Sequence, residues 1–224
     1  MNPTENFLHS SHEDKDELLS QRIEFIKQQD PSLRTLTEVG RGDSYTAYSC
    51  EYEEANISPT VLKVNRLAEG ISDVEIKAWS DLSGTAGLPR VLRTYRDGLV
   101  PIAMLMEKIE GEHLEDWLSS HGEDVLSIIE QISELINAFH RRGFFMPKDW
   151  GKTENWLVDN SGQPHLLDLG EVGILNEDEE ARGFQVRRDF GNLYSLIDPF
   201  TANMGKRERR TLEGMMLRDL RRPQ

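Results

Sequence analysis

Leu166-Leu167-Asp168-Leu169-Gly170 is the stretch on which the reading of this chain turns. A short apolar run ends on a carboxylate, and a glycine two residues later lets the backbone turn away. Three fragments precede it in order. A Gly-rich turn, Gly40-Arg41-Gly42-Asp43-Ser44-Tyr45, comes first. A lysine inside an apolar strand follows, Thr60-Val61-Leu62-Lys63-Val64. The third is a polar loop, Lys148-Asp149-Trp150-Gly151-Lys152-Thr153-Glu154-Asn155. Taken singly, these read as a hairpin turn, an outward strand lysine, a solvated loop and an aspartate opening a turn. Their order gives them a common chemistry. Glycines expose backbone N–H groups to anionic oxygens, lysines supply cations, and side-chain carboxylates and amides supply hard oxygen donors.

Composition sets outer limits. The chain has 224 residues, enough for a real core in one domain or two small lobes, and its 37% hydrophobic and 29% charged content is that of a soluble globular protein. Its net charge of −14 argues against nucleic acid as a partner, because phosphate attraction needs a basic face. A local exception is the crowd of Lys206, Arg207, Arg209, Arg210, Arg218, Arg221 and Arg222, which reads as a solvated basic helix balancing an acidic body. The single cysteine, Cys50, rules out a disulfide framework and reads as a buried or half-buried thiol. Six histidines show no HExxH or comparable paired spacing. The start, Met1-Asn2-Pro3-Thr4-Glu5, is polar and acidic, and no apolar run reaches membrane-spanning length. A cytoplasmic protein is expected, with export as an effector by a route lacking a cleavable signal left open.

The pattern along the chain divides it into a strand-rich first half and a helical second half. Residues 1–10 are expected to lack fixed structure. A helix is expected over Ser11–Gln29, stopped by Asp30-Pro31-Ser32. Strands follow at Leu36–Val39, Thr46–Tyr52 and Thr60–Val64, with a polar turn over 53–59. Ser72–Leu82 reads as a helix with Ser72 as N-cap and Glu75 at capping-box spacing. Val91–Tyr95 and Val100–Glu107 complete about five strands. In the second half, His113–His121 is a short helix, and Val125–Phe139 places eight apolar residues on one face. Two short strands, Trp156–Val158 and His165–Leu167, flank the turn Asp159-Asn160-Ser161-Gly162. An acidic loop precedes a helix near Asp189–Ile197, and a last helix spans about Lys206–Arg221.

This succession resembles the protein-kinase-like superfamily over roughly residues 36–197. The resemblance implies an α+β, bilobal fold. Residues 1–34 would form an N-terminal extension with a helix, 35–107 a β-rich N-lobe, and 108–224 a shortened helical C-lobe. It implies ATP and Mg²⁺ as cofactors. Gly40 and Gly42 would lie over the phosphates, with Tyr45 standing where the family has a third glycine. Lys63 would contact the α- and β-phosphates, oriented by Glu75. Met104-Leu105-Met106-Glu107-Lys108-Ile109-Glu110-Gly111 resembles a kinase hinge. Met106 would stand at the gatekeeper position, and Glu107 and Ile109 would offer backbone groups to adenine. Asn155 and Asp168 would bind Mg²⁺. Asp189, in Arg187-Arg188-Asp189-Phe190, resembles the helix aspartate that braces the catalytic loop.

The catalytic loop departs from the family. His-Arg-Asp is absent, and Asp149 and Asn155 are six residues apart, one more than the family pattern. With a one-residue insertion, Asp149 is the general base that orients the acceptor hydroxyl, and Lys152 neutralises charge on the transferring phosphate. Without it, Trp150 holds the aspartate's place and the chain resembles a pseudokinase acting as a protein-binding module. The segment between Asp168 and Asp189 is short, contains no Ser, Thr or Tyr, and leads to no Ala-Pro-Glu. Activation-loop phosphorylation is therefore not its expected switch. Size and the Asp-Leu-Gly and Arg-Arg-Asp-Phe pieces are similar to small bacterial kinases, including lipopolysaccharide-core sugar kinases and kinase-like effectors. The implied acceptor is a hydroxyl of protein Ser/Thr or of a sugar or lipid-linked group.

Overall fold

The structure, a computed structural model, describes residues 12–52, 59–121 and 125–221. The first ten residues and the turn over 53–58 lie outside the described residues, as does the side chain of Asp149. The chain divides into two compact units, residues 1–71 with 92–108 and residues 72–91 with 109–224.

The first unit is a sheet with one helix. Helix α1 (His12–Gln29) leads into β1 (Leu33–Arg41), β2 (Tyr45–Tyr52), β3 (Thr60–Asn65), β4 (Val91–Asp97) and β5 (Val100–Glu107). The sheet order is β1-β2-β3-β5-β4, so β3 is central. β3 pairs antiparallel with both neighbours, and Lys63 stands opposite Ala47 on one side and Met104 on the other. Leu19 and Ile26 of α1 bury themselves against Leu62, Val64, Ile102 and Leu105. Successive strand residues point to opposite faces, so Lys63, between Leu62 and Val64, points away from α1. Asp30 ends α1 as a buried carboxylate. It accepts from Ser32, from Tyr95 Oη at 2.7 Å and from Arg93 Nη1 at 2.5 Å. Cys50 is buried with its Sγ 3.2 Å from Thr60 Oγ1, and burial pushes its thiol pKa up, which makes it an inert thiol.

The second unit is mainly helical. It begins with α2 (Asp73–Asp81), whose N-cap Ser72 accepts from the Glu75 N–H at 3.1 Å, the contact the capping-box spacing predicts. Helix α3 (Leu114–Ser120) and the long α4 (Val125–Arg141) follow. Helix α4 buries Ile128, Ile129, Ile132, Ile136 and Phe139 completely. Strands β6 (Gly111–His113), β8 (Trp156–Asp159) and β9 (Pro164–Leu166) form one small antiparallel sheet. β7 (Phe144–Phe145) pairs with β10 (Gly173–Ile174). The hydrogen bond from Leu166 N–H to Gly87 O, 2.9 Å, ties the turn after α2 to β9. Helices α5 (Glu179–Ile197) and α6 (Lys206–Arg221) end the chain.

Two expectations are corrected here. Helix α5 starts ten residues before Asp189, at Glu179, because Asp178 caps it by accepting from Ala181 N–H at 2.9 Å. The polar loop over Lys148–Asn155 contains two short 3-10 turns, Asp149–Gly151 and Thr153–Asn155, and is preceded by β7. No described helix is long and apolar enough to cross a membrane.

Candidate functional site

In the first unit the candidate residues share one sheet. The Gly-rich turn is the β1–β2 hairpin. Gly42 N–H donates to Tyr45 O at 2.8 Å, and Arg66 N–H donates to Ser44 O at 2.7 Å. Neither Gly40 nor Gly42 has a positive φ. A Cβ on Gly40 would meet nothing within 4 Å, and one on Gly42 only Tyr45 O at 3.8 Å. Neither packing nor backbone conformation calls for these glycines. What they provide is open space above the turn, where a ligand's oxygens could approach the backbone.

Lys63 is 7% exposed on the central strand. Its Nζ lies 4.0 Å from the centroid of the Tyr45 ring. The residue in the third glycine's place is therefore itself a partner of the lysine. Met106 is buried opposite Val61 at the end of β5, and Glu107 stands opposite Thr60. Lys108 N–H donates to Pro59 O at 2.9 Å, which continues this strand edge. Ile109 begins the second stretch of the second unit.

In the second unit, Glu75 is buried on α2, and its Oε1 accepts from Trp79 Nε1 at 3.4 Å. A backbone contact brings Asn155 next to the chain that leads into Asp168. The carbonyl of Asn155 accepts from Leu167 N–H at 2.8 Å, which sets Asn155 beside the strand end that carries Asp168. Asp168 Oδ1 accepts from Gly170 N–H at 3.0 Å, so the carboxylate is turned over its own Leu169-Gly170. Lys152 Nζ lies 3.9 Å, and Lys148 Nζ 3.8 Å, from Glu171 Oε1. Glu171 escaped the sequence reading. The available signal was a carboxylate directly after Asp168-Leu169-Gly170, facing two lysines four residues apart. Among the described residues no three His, Cys, Asp or Glu side chains form a metal cage. One carboxylate and one amide suit a small hard cation that shares the rest of its shell with phosphate oxygens and water.

The loop holding these groups is braced from α5. Asp189 is completely buried; its Oδ2 accepts from Met146 N–H at 3.2 Å and lies 2.9 Å from His140 Nε2. Burial pushes the Asp189 carboxyl pKa up, against the pull of His140. Asn192 Nδ2 donates to Pro147 O at 2.8 Å. Trp150 is fully buried, edge-on to Phe139 at 5.0 Å and tilted against Trp156 at 5.8 Å. Its side chain thus belongs to the core.

Compared by sequence, the chain matches no protein-family model and no curated protein. Compared by structure, it is similar to PK-1, the kinase of Cydia pomonella granulovirus. The likeness covers 81% of this chain and 74% of that one, with a TM-score of 0.63 and 13% identity. The fold is protein-kinase-like. A β-sheet region followed by helices, with a lysine on the central strand, is the α+β arrangement the sequence led us to expect.

Proposed function

We propose that the protein is a kinase, an Mg-ATP-dependent phosphotransferase that moves the γ-phosphate to a hydroxyl. The observation that carries this reading is Lys63. A lysine held 7% exposed on the central strand of a sheet, on the face opposite the apolar cluster and with its ammonium against Tyr45, offers a phosphate group a fixed cation. Gly40 and Gly42 leave room over the turn for phosphate oxygens, and Glu75 takes the role of the family's acidic helix residue. Met106 lines the adenine pocket, with Glu107 and Ile109 offering backbone groups. Asn155 and Asp168 hold Mg²⁺, which supplies charge neutralisation between β- and γ-phosphates. Asp149 orients the acceptor hydroxyl and takes its proton, and Lys152 faces the transferring group. The core position of Trp150 supports the register in which Asp149, not Trp150, takes the aspartate's place. In this reading residues 35–107 form the N-lobe and 108–224 a reduced C-lobe of a bilobal kinase, with 1–34 as extension. The short segment before α5 supports a bacterial type, with a protein Ser/Thr or a lipopolysaccharide or other sugar hydroxyl as acceptor, acting in the cytoplasm or as an exported effector.

A second reading, a pseudokinase that binds partners, is favoured by one contact: the Tyr45 ring at 4.0 Å from Lys63 Nζ. ATP binding with and without Mg²⁺, measured by thermal shift and calorimetry on wild type and Asp168→Ala, separates the two. Mg-dependent binding that is lost in Asp168→Ala is expected, since bound ligand raises the melting point by mass action. No binding in wild type would leave the partner-binding reading. ATP turnover retained in both Lys63→Ala and Asp168→Ala would overturn the kinase assignment.

A further inference from the structure

Helix α1 does more than cover the sheet. Asp16 Oδ1, on its outer face, accepts from Arg41 Nη1 at 2.8 Å and from Arg66 Nη2 at 3.0 Å. Arg41 belongs to the Gly-rich turn, and its Nε and Nη2 also grip both oxygens of Glu38 at 2.9 and 2.8 Å. Arg66, its side chain only 5% exposed, donates from Nη1 to Gly42 O at 2.8 Å and from its backbone to Ser44 O. One carboxylate therefore joins both guanidinium groups that hold the turn. The helix carrying it is itself fixed. Six residues further on, buried Arg22 donates to Asn65 O at 2.7 Å and Ala68 O at 3.3 Å, while Leu19 and Ile26 sit in the core.

Exposed ion pairs contribute little to stability, and Asp16 and Arg41 are 54% and 40% exposed. The geometry gives them a different use. A turn with two glycines and no packing on its open side has large conformational freedom, and a ligand that orders it must meet that entropy. Fixing the turn beforehand removes the cost.

We propose that Asp16 is a positioning residue for nucleotide binding, through which α1 holds the Gly40–Tyr45 turn in its binding conformation. This rests on the reading of that turn as a phosphate cover. Helix α1 is then part of the nucleotide-binding machinery.

The test uses the full chain with Asp16→Ala, Asp16→Asn and Asp16→Glu. Amide hydrogen exchange over residues 40–45, without nucleotide, is expected to speed up in Ala and Asn and to return toward wild type in Glu. Mg-ATP affinity by calorimetry is expected to weaken about five-fold or more in Ala and Asn, the lower range of site-to-site coupling. The KM for ATP should rise while kcat at saturation holds, with melting points close to wild type. Unchanged exchange and affinity overturn the inference while leaving the kinase reading intact. Tighter ATP binding in Asp16→Ala also overturns it, since the carboxylate would then be competing with phosphate for the two arginines. Absence of ATP binding in wild type overturns both.

Discussion

At the scale of single residues, chemistry and stability point in different directions. Lys63 is nearly buried and stacked on Tyr45, a position an apolar side chain of similar length could fill. Lys63→Met is therefore expected to melt within a few degrees of wild type and to lose ATP turnover. A large fall in melting temperature would assign the lysine to structure. Asp189 is the opposite case. It is completely buried and shared by His140 and Met146 N–H, so Asp189→Ala leaves a buried imidazole and an N–H unpartnered. The expected cost is about 3 kcal/mol or more in chemical denaturation. Asp168→Ala, at a half-buried strand end, should cost far less while abolishing turnover. Asp149→Ala should also abolish turnover. Survival of activity there, with Asp168→Ala inactive, would show the catalytic aspartate to be another residue.

At the scale of elements, two local devices are open to direct test. Ser72 caps α2, the helix that carries Glu75. Ser72→Ala should cost about 1 kcal/mol in denaturant unfolding, with Ser72→Asp close to neutral. Gly111 opens β6 where that strand runs close against β8. A Cβ there would lie 2.1 Å from Val158 O, and backbone cannot yield as a side-chain tip can. Gly111→Ala is expected to destabilise by on the order of 2 kcal/mol, as overpacking does. Legibility also varied by element. Helix α4 was readable because its apolar residues repeat at helical spacing with no competing signal. The first half of α5, Glu179–Arg188, was not, because its few apolar residues, Ala181, Phe184 and Val186, are scattered among charges with Gly183 between them, and only the Asp178 cap marks its start. Strands β6, β7 and β10 are two or three residues long, too short to show a period.

For the whole molecule, the consequential titrations are those of carboxylates held below their usual range in both units. Burial alone would raise Asp159, but hydrogen bonds from Ser161, His165 and Gln163 hold it well below. Asp30 likewise would rise with burial, yet Ser32, Tyr95 and Arg93 pull it down. A depressed folded-state pKa contributes stability that is complete above the unfolded value, near pH 4, and is lost as pH falls through the folded value. Melting temperature should therefore be flat from about pH 7 to 5 and fall below about pH 4. The fall should be shallower in Asp159→Asn, whose melting point at neutral pH should already be lower. An equal slope in that variant would place the acid sensitivity elsewhere.

The sequence by itself determined what depends on near neighbours: the helical face of α4, the Ser72 cap, the alternation that turns Lys63 away from Leu62 and Val64, and the strand that ends on Asp168. These are set within a few residues by periodicity, hydrogen-bonding reach and side-chain shape. Only the tertiary structure decided what depends on distant parts of the chain. It buried Trp150 against Phe139 and Trp156, and brought Glu171 toward Lys148 and Lys152. It also joined Asp16 to Arg41 and Arg66, 25 and 50 residues away. No local pattern encodes such contacts, because their partners are far apart in the chain; for Asp16 it is the packing of α1 on the sheet, with Leu19 and Ile26 in the core, that carries an exposed carboxylate to its partners.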